Sequence, residues 1–180
     1  MDFLSRYEIA FKGLKEGSHR FEYEIDDRFF ENIESSLVNK GKLKAKVDLQ
    51  KQSNLLIIEM RVKGTVELIC DRCLENYNEK VKSKDKLIVK FGSETETLSD
   101  DLIVLPVDEH QINIAQYLYE QIILGLPIKH VHPDDEEGHS TCDPEMLEKL
   151  DQYLVHEKET ESEPIIDERW NELKKLIDNK

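Results

Sequence analysis

The feature that constrains the fold most is a strict two-residue alternation of apolar and charged side chains. In "KLKAKVDLQ", residues 42–50, Leu43, Ala45, Val47 and Leu49 alternate with Lys42, Lys44, Lys46 and Asp48. After the turn "QSN" the pattern resumes. Ile58, Met60, Val62, Val66 and Leu68 lie on one face, and Glu59, Arg61, Lys63, Thr65 and Glu67 on the other. A period of two belongs to β-strands, whose successive side chains point to opposite faces. One dry face and one wet face is the antiparallel pattern, and the short turn joins the two runs as a hairpin. A third strand, "NEKVKSKDKLIVKF" at 78–91, follows the turn "CDRC" at 70–73.

Around these strands the spacing predicts further elements. Residues 3–13 and 19–26 read as short strands about the turn "KEGS". A helix is expected over "DRFFENIESSLV", capped by Asp26 or Asp27, with Phe29, Phe30, Ile33 and Leu37 as its stripe and Gly41 ending it. Residues 92–101 read as a polar loop and "LIVLPV" as a short buried strand. "NIAQYLYEQIILGLP" predicts an amphipathic helix capped by Asn113, with Ile114, Leu118, Ile122 and Tyr117 facing the core and Gly125 at its end. "PEMLEKLDQYLV" and "DERWNELKKLIDNK" predict two more helices. The expected fold is α+β: an antiparallel sheet of long strands with helices packed at one side, plus C-terminal helices. The expected units are a core domain over 1–130, a His/Cys loop and helix over 131–155, an acidic linker over 156–166 and a terminal helix over 167–180.

No apolar run approaches the length needed to cross a bilayer. The first residues lack a basic region followed by an apolar stretch, so no signal peptide is expected. Three cysteines are few for a secreted fold, which points to a reducing cytoplasm and to metal or redox chemistry for a C-x2-C pair. Cys70 and Cys73 lie at a turn between strands, the setting of a metal knuckle rather than of a thioredoxin-like redox motif. Zinc takes four ligands, nearly always thiolates and imidazoles in a tetrahedron. The third thiol is Cys142, and His130, His132 and His139 precede it in the same loop. A Cys3His set therefore has three candidate imidazoles. His139 stands three residues from Cys142, the offset of the first pair, and is favoured on spacing alone. The alternative is that both cysteines are small turn residues and the histidines are solvated.

The wet faces carry two lysine rows. Lys42, Lys44 and Lys46 form one, and Lys80, Lys82, Lys84 and Lys86 the other. Such rows can neutralise phosphates with release of counterions. Taken alone, they are better explained as a solvated sheet face or as edge protection. The net charge of −14 does not argue against a nucleic-acid partner, because it is concentrated. Residues 131–168 hold 14 acidic and 2 basic side chains, and the remainder is close to neutral. An acidic segment of this kind can bind a basic partner or cover a basic face. No Ser-His-Asp, phosphate-loop, Gly-rich or H-E-x-x-H pattern is present, so the chain reads as a non-enzyme. Arg72 beside Cys73 leaves a thiol enzyme as the rival.

The stretch "ELICDRCLENYNEKV" resembles the YceD-like family, the large ribosomal RNA subunit accumulation proteins. The helix closing on "LGLP" and the tail "IIDERWNELKKL" resemble that family in the same order, with Glu168 where proline is usual. Family members with the fullest metal pattern carry a cysteine a few residues after L-P. Here His132 holds that place, and the resemblance moves the expected third ligand from His139 to His132. The expected set is then Cys70, Cys73, His132 and Cys142, holding zinc. The resemblance also implies a non-catalytic ribosome biogenesis factor supporting accumulation of 23S ribosomal RNA. Its expected partner is that RNA or a large-subunit precursor, met through the lysine rows. The alternative is an interaction module that binds a basic ribosomal protein through the acidic C-terminal third. Neither a membrane nor a small-molecule substrate is expected.

Overall fold

The structure, a computed structural model, describes residues 3–154. Six strands form one sheet: β2 (Gly17–Ile25), β3 (Lys40–Lys51), β4 (Leu55–Ile69), β5 (Asn76–Gly92), β7 (Leu102–Pro106) and β6 (Glu96–Ser99), adjacent in that order. A two-stranded sheet pairs β1 (Glu8–Ile9) with β8 (Ile112–Asn113). The helices are α1 (Asp27–Glu31), α2 (Ala115–Leu124) and α3 (Pro144–Tyr153). The class is α+β and the large sheet is mostly antiparallel. Only β7 runs parallel to its neighbour, β5.

The alternation in the sequence is the alternation of burial. Leu43, Ala45, Val47 and Leu49 on β3 are buried, as are Leu56, Ile58, Met60, Val62, Val66 and Leu68 on β4. The same face of β5 adds Tyr77, Val81, Leu87 and Val89. Helix α2 covers this face with Ile114, Leu118 and Ile122 beside or within it. Buried Gln121 donates its amide N–H to the Met60 carbonyl at 3.0 Å. Phe29 and Phe30 of α1 close one end, packed edge-on to each other and to Tyr7. The burial of this largely apolar face is the main stabilising term of the fold.

Several sequence expectations shift. The helix expected over 27–38 stops at Glu31. Asn32, Ser35 and Ser36 prefer local side-chain bonds to helical ones. Asn32 donates to the Arg28 carbonyl and Ser36 to the Val38 carbonyl, and Ser35 has φ of 57°. Leu37, placed on the core stripe by periodicity, is exposed, and Gly41 lies inside β3 instead of ending a helix. The first expected strand is a 3-10 helix over Phe3–Tyr7 followed by β1, which pairs with β8 rather than with β2. The polar loop 92–101 contains edge strand β6. The N-cap of α2 is Ile114 and not Asn113, which ends β8 and whose side-chain oxygen accepts from the Ala115 N–H at 2.9 Å. The acidic linker and the terminal helix expected over 156–180 lie outside the described residues.

Glycine is required at one point in the sheet. Gly64 pairs with Leu43, and a Cβ there would stand 2.3 Å from the Lys42 carbonyl oxygen and 2.5 Å from the Leu43 Cα. The missing side chain lets β3 press onto β4 where the lysines of both strands converge.

Candidate metal centre and the basic sheet face

The β4–β5 turn is a compact loop. The Cys70 N–H donates to the Glu75 carbonyl at 2.9 Å, the Leu74 N–H donates back to the Cys70 carbonyl at 3.0 Å, and Leu74 takes a φ of 63°. Leu74 thereby reverses the chain and sends Cys70 and Cys73 to one side. The segment after α2 is brought to that turn by Asp71. Its N–H donates to the His130 carbonyl at 2.6 Å, and its carboxylate accepts from the His130 N–H at 2.7 Å. This two-way clamp sets His132, two residues on, above the cysteines. The ring of Tyr77 on β5 packs against His132 with centroids 5.0 Å apart. Residues 133–141 then close on themselves. The Thr141 hydroxyl donates to the Pro133 carbonyl at 2.7 Å and the Asp135 N–H to the His139 carbonyl at 2.8 Å, which returns the chain to Cys142.

The result is a cluster of four donor atoms, those of Cys70, Cys73, His132 and Cys142, all within 4.8 Å of one another. Cys70 is fully buried, and Cys73 and Cys142 are 4% and 5% exposed. The Cys70 and Cys142 sulfurs are 3.7 Å apart. His132 Nδ1 is 3.4 Å from the Cys73 sulfur and 3.6 Å from that of Cys142. Two sulfurs bound at zinc distance in a tetrahedron stand about 3.8 Å apart, and a sulfur and an imidazole nitrogen about 3.6 Å. These contacts thus have the edge lengths of a zinc tetrahedron, and the chemistry of three thiols and one imidazole fits a structural site. The cluster can bind a metal, and all four positions are filled by protein.

The electrostatics of the cluster favour anionic sulfur. Burial pushes the Cys70 thiol up. The peptide N–H groups of Cys73, Arg72 and His132, with the His132 side chain, outweigh this and bring it down to about 5. The Arg72 N–H lies 3.4 Å from that sulfur. The Cys142 thiol is raised, by burial first and then by the neighbouring Cys70 and Cys73. One buried thiolate resists the formation of a second beside it, unless a cation is shared between them. Tyr77, whose hydroxyl is buried without a hydrogen-bond partner among the described residues, is pushed up to about 12 by burial and then by Glu79. It stays neutral beside the cluster.

His139, the candidate that spacing favours, lies apart. Its ring is exposed and faces Asp135 at 3.5 Å and Glu137 at 3.7 Å. The clamp by Asp71 had no signal in the sequence beyond the carboxylate between the two cysteines of "CDRC".

On the opposite face of the sheet the seven lysines come together. Lys42, Lys44 and Lys46 on β3 and Lys80, Lys82, Lys84 and Lys86 on β5 point away from the core, with β4 between them. The register fills the gap with two residues that the lysine rows omitted: Lys63 and Arg61. Lys44 stands opposite Lys63, which stands opposite Lys82. Likewise Lys46 is opposite Arg61, and Arg61 opposite Lys84. The carboxylates on this face satisfy part of the charge. Glu22 pairs with Lys46 at 3.2 Å, Glu59 with Lys84 at 3.1 Å, and Asp48 with both Arg20 and Arg61. Lys44 has Glu24 at 3.9 Å. Lys42, Lys63, Lys80, Lys82 and Lys86 have no carboxylate partner among the described residues. The basic face is hollowed into a trough of about 910 Å³, whose lining includes Lys42, Lys46, Lys63, Lys82 and Lys84.

The family model described as large ribosomal RNA subunit accumulation protein YceD matches residues 58–177. The match begins within β4, after Lys42, Lys44 and Lys46, and takes in β5 and all four residues of the Cys/His cluster. No curated protein and no solved structure matches the chain. No helix among the described residues is long and apolar enough to cross a membrane.

Proposed function

The chain belongs to the family of large ribosomal RNA subunit accumulation proteins, and on that premise we propose that it supports large-subunit RNA by direct contact through the basic face of its sheet. The family description is that of an accumulation factor rather than an enzyme. One observation carries the proposal. Lys44, Lys63 and Lys82 stand directly opposite one another on three adjacent strands, and among the described residues Lys44 alone of the three has a carboxylate, Glu24 at 3.9 Å. Neighbouring strands are about 4.8 Å apart, and like charges placed directly opposite destabilise a sheet by roughly 0.2–1 kcal/mol. A fold keeps such a row at a cost to itself when an external anion neutralises it. A basic ribosomal protein as partner would draw instead on the acidic segment, whose residues 156–168 lie outside those described. The lysine row is what favours RNA.

The test uses stability and binding together. Lys63→Thr removes the central charge and substitutes a residue suited to a strand. The variant is expected to melt about 1–2 °C higher at low salt, by roughly 0.5 kcal/mol, and to bind ribosomal RNA several-fold more weakly. Unchanged RNA affinity in a filter-binding assay returns the row to an ordinary solvated face.

We further propose that Cys70, Cys73, His132 and Cys142 hold a structural zinc ion. With four protein donors no position is left for substrate, which is the arrangement of a structural site and not of a catalytic one. The ion would fasten the segment after α2 to the β4–β5 turn. Asp71 preorganises that junction, so Asp71→Ala is expected to lower zinc affinity about tenfold, read by competition with a chromophoric chelator. Equal affinity in the variant would mean that the clamp merely closes a loop.

A further inference from the structure

We infer that the basic face takes the phosphate backbone of double-helical RNA, and not unpaired bases. The inference rests on the reading that this face meets RNA, and names which form of RNA it takes. Proteins that read single-stranded RNA on a sheet do so by stacking bases on aromatic rings or on arginine planes. Neither is offered by the described residues of this face. The outward positions of β2, β3, β4 and β5 alternate from Ser18, Lys42, Ile57 and Asn78, and no aromatic residue falls on them. The rings of these strands, among them Phe21, Tyr23, Tyr77 and Phe91, all have the opposite parity and pack against the core. Both arginines on the face are held edge-on by one carboxylate, since Asp48 accepts from Arg20 and from Arg61. A guanidinium fixed in that way is not free to lie flat under a base.

What remains is lysine, a mobile point charge that meets phosphate without reading the base. The ammonium groups rise from a rigid lattice, about 5 Å apart across strands and about 7 Å apart along them. A regular lattice of cations suits phosphates that are themselves held in regular rows, as in a duplex. In an unpaired chain, ordering the backbone would cost entropy that no stacking repays. Glu24 lines the trough on the β2 side and Glu22 pairs with Lys46 beside it, so the carboxylates of β2 turn a polyanion toward β3–β5.

The experiment measures binding of the full chain to a perfectly paired RNA hairpin and to poly(U) of equal length, by fluorescence anisotropy over a salt series. The hairpin is expected to bind about tenfold tighter, irrespective of its sequence, with a log–log salt slope near −4 set by the five lysines that have no carboxylate partner among the described residues. The triple variant Lys63→Gln, Lys80→Gln, Lys82→Gln should flatten that slope by about three while the protein melts no lower than the unaltered chain. Poly(U) binding as tightly as the hairpin, with both weakened by the triple variant, overturns this inference and leaves the RNA-contact reading standing. No binding, or binding indifferent to the variant, removes both. Competition by poly-glutamate as strong as that by the hairpin would instead assign the face to an acidic protein, and so also overturns it. The hairpin-to-poly(U) comparison is made on the unaltered chain, so it decides even if the variant misfolds.

Discussion

Replacing Cys70 and Cys73 together by serine is expected to leave a protein without zinc where the unaltered chain carries one equivalent, and to lower its melting temperature by about 10 °C. The size follows from mass action. A ligand that binds only the folded state, at a thousandfold excess over its Kd, stabilises by about 4 kcal/mol, and each kcal/mol moves the midpoint of a domain this long by about 2–4 °C. The loss is smaller than the whole binding energy of a zinc finger because the core does not need the metal. The dry face of β3, β4 and β5 is buried under α2 whether or not the cluster is filled. What a bound ion would add is the attachment of residues 130–142, which otherwise rests on the two Asp71–His130 bonds and on self-closure of the loop. Amide exchange should therefore accelerate first in that segment. A chelator should reproduce the drop in the unaltered chain and have no effect on the double variant. His132→Ala should lose the metal, whereas His139→Ala should keep it, because the His139 ring faces Asp135 and Glu137 instead. The pH dependence has a definite sign. Protons compete with zinc for three thiolates and an imidazole, so affinity falls as pH falls. Elemental analysis that finds no metal, with a melt indifferent to chelator, would reduce the cluster to packing.

Gly64→Val is the second large effect. Its Cβ would meet the Lys42 carbonyl oxygen at 2.3 Å and the Leu43 Cα at 2.5 Å, and both are backbone atoms that no rotamer change can move. Relief requires β3 to lift from β4. We expect about 3 kcal/mol of destabilisation, the upper range for overpacking, read by urea denaturation. The same displacement separates Lys42 and Lys44 from Lys63 and Lys82, so RNA affinity should fall although no lysine is altered. Gly13→Ala is the control: nothing lies within 4 Å of a Cβ at that position, and stability should change by less than about 0.5 kcal/mol. A Gly64→Val protein as stable as the parent would mean that the strands can part without cost, and the lysine rows would then lose their fixed spacing.

The elements most legible in the sequence are those set by local periodicity. Leu43, Ala45, Val47 and Leu49 on one side and Lys42, Lys44 and Lys46 on the other follow from the period of two, so the long strands and their dry face could be read directly. The helix over 115–124 was legible for the same reason. Failures fall where local chemistry competes with the pattern. Asn32, Ser35 and Ser36 stop α1 after one turn, and β1 finds β8 across more than a hundred residues.

The sequence alone determined that the lysines share the wet face of long strands and that two cysteines meet at a turn, because side-chain direction within a strand depends only on position parity. The tertiary structure decided everything that depends on register and on chain reversal. Register places Lys63 between Lys44 and Lys82, and puts Asp48 where it restrains both Arg20 and Arg61. The return of the chain after α2, clamped by Asp71, selects His132 over His139 as the imidazole beside the sulfurs. Such contacts join residues far apart in the chain, and local spacing carries no information about them.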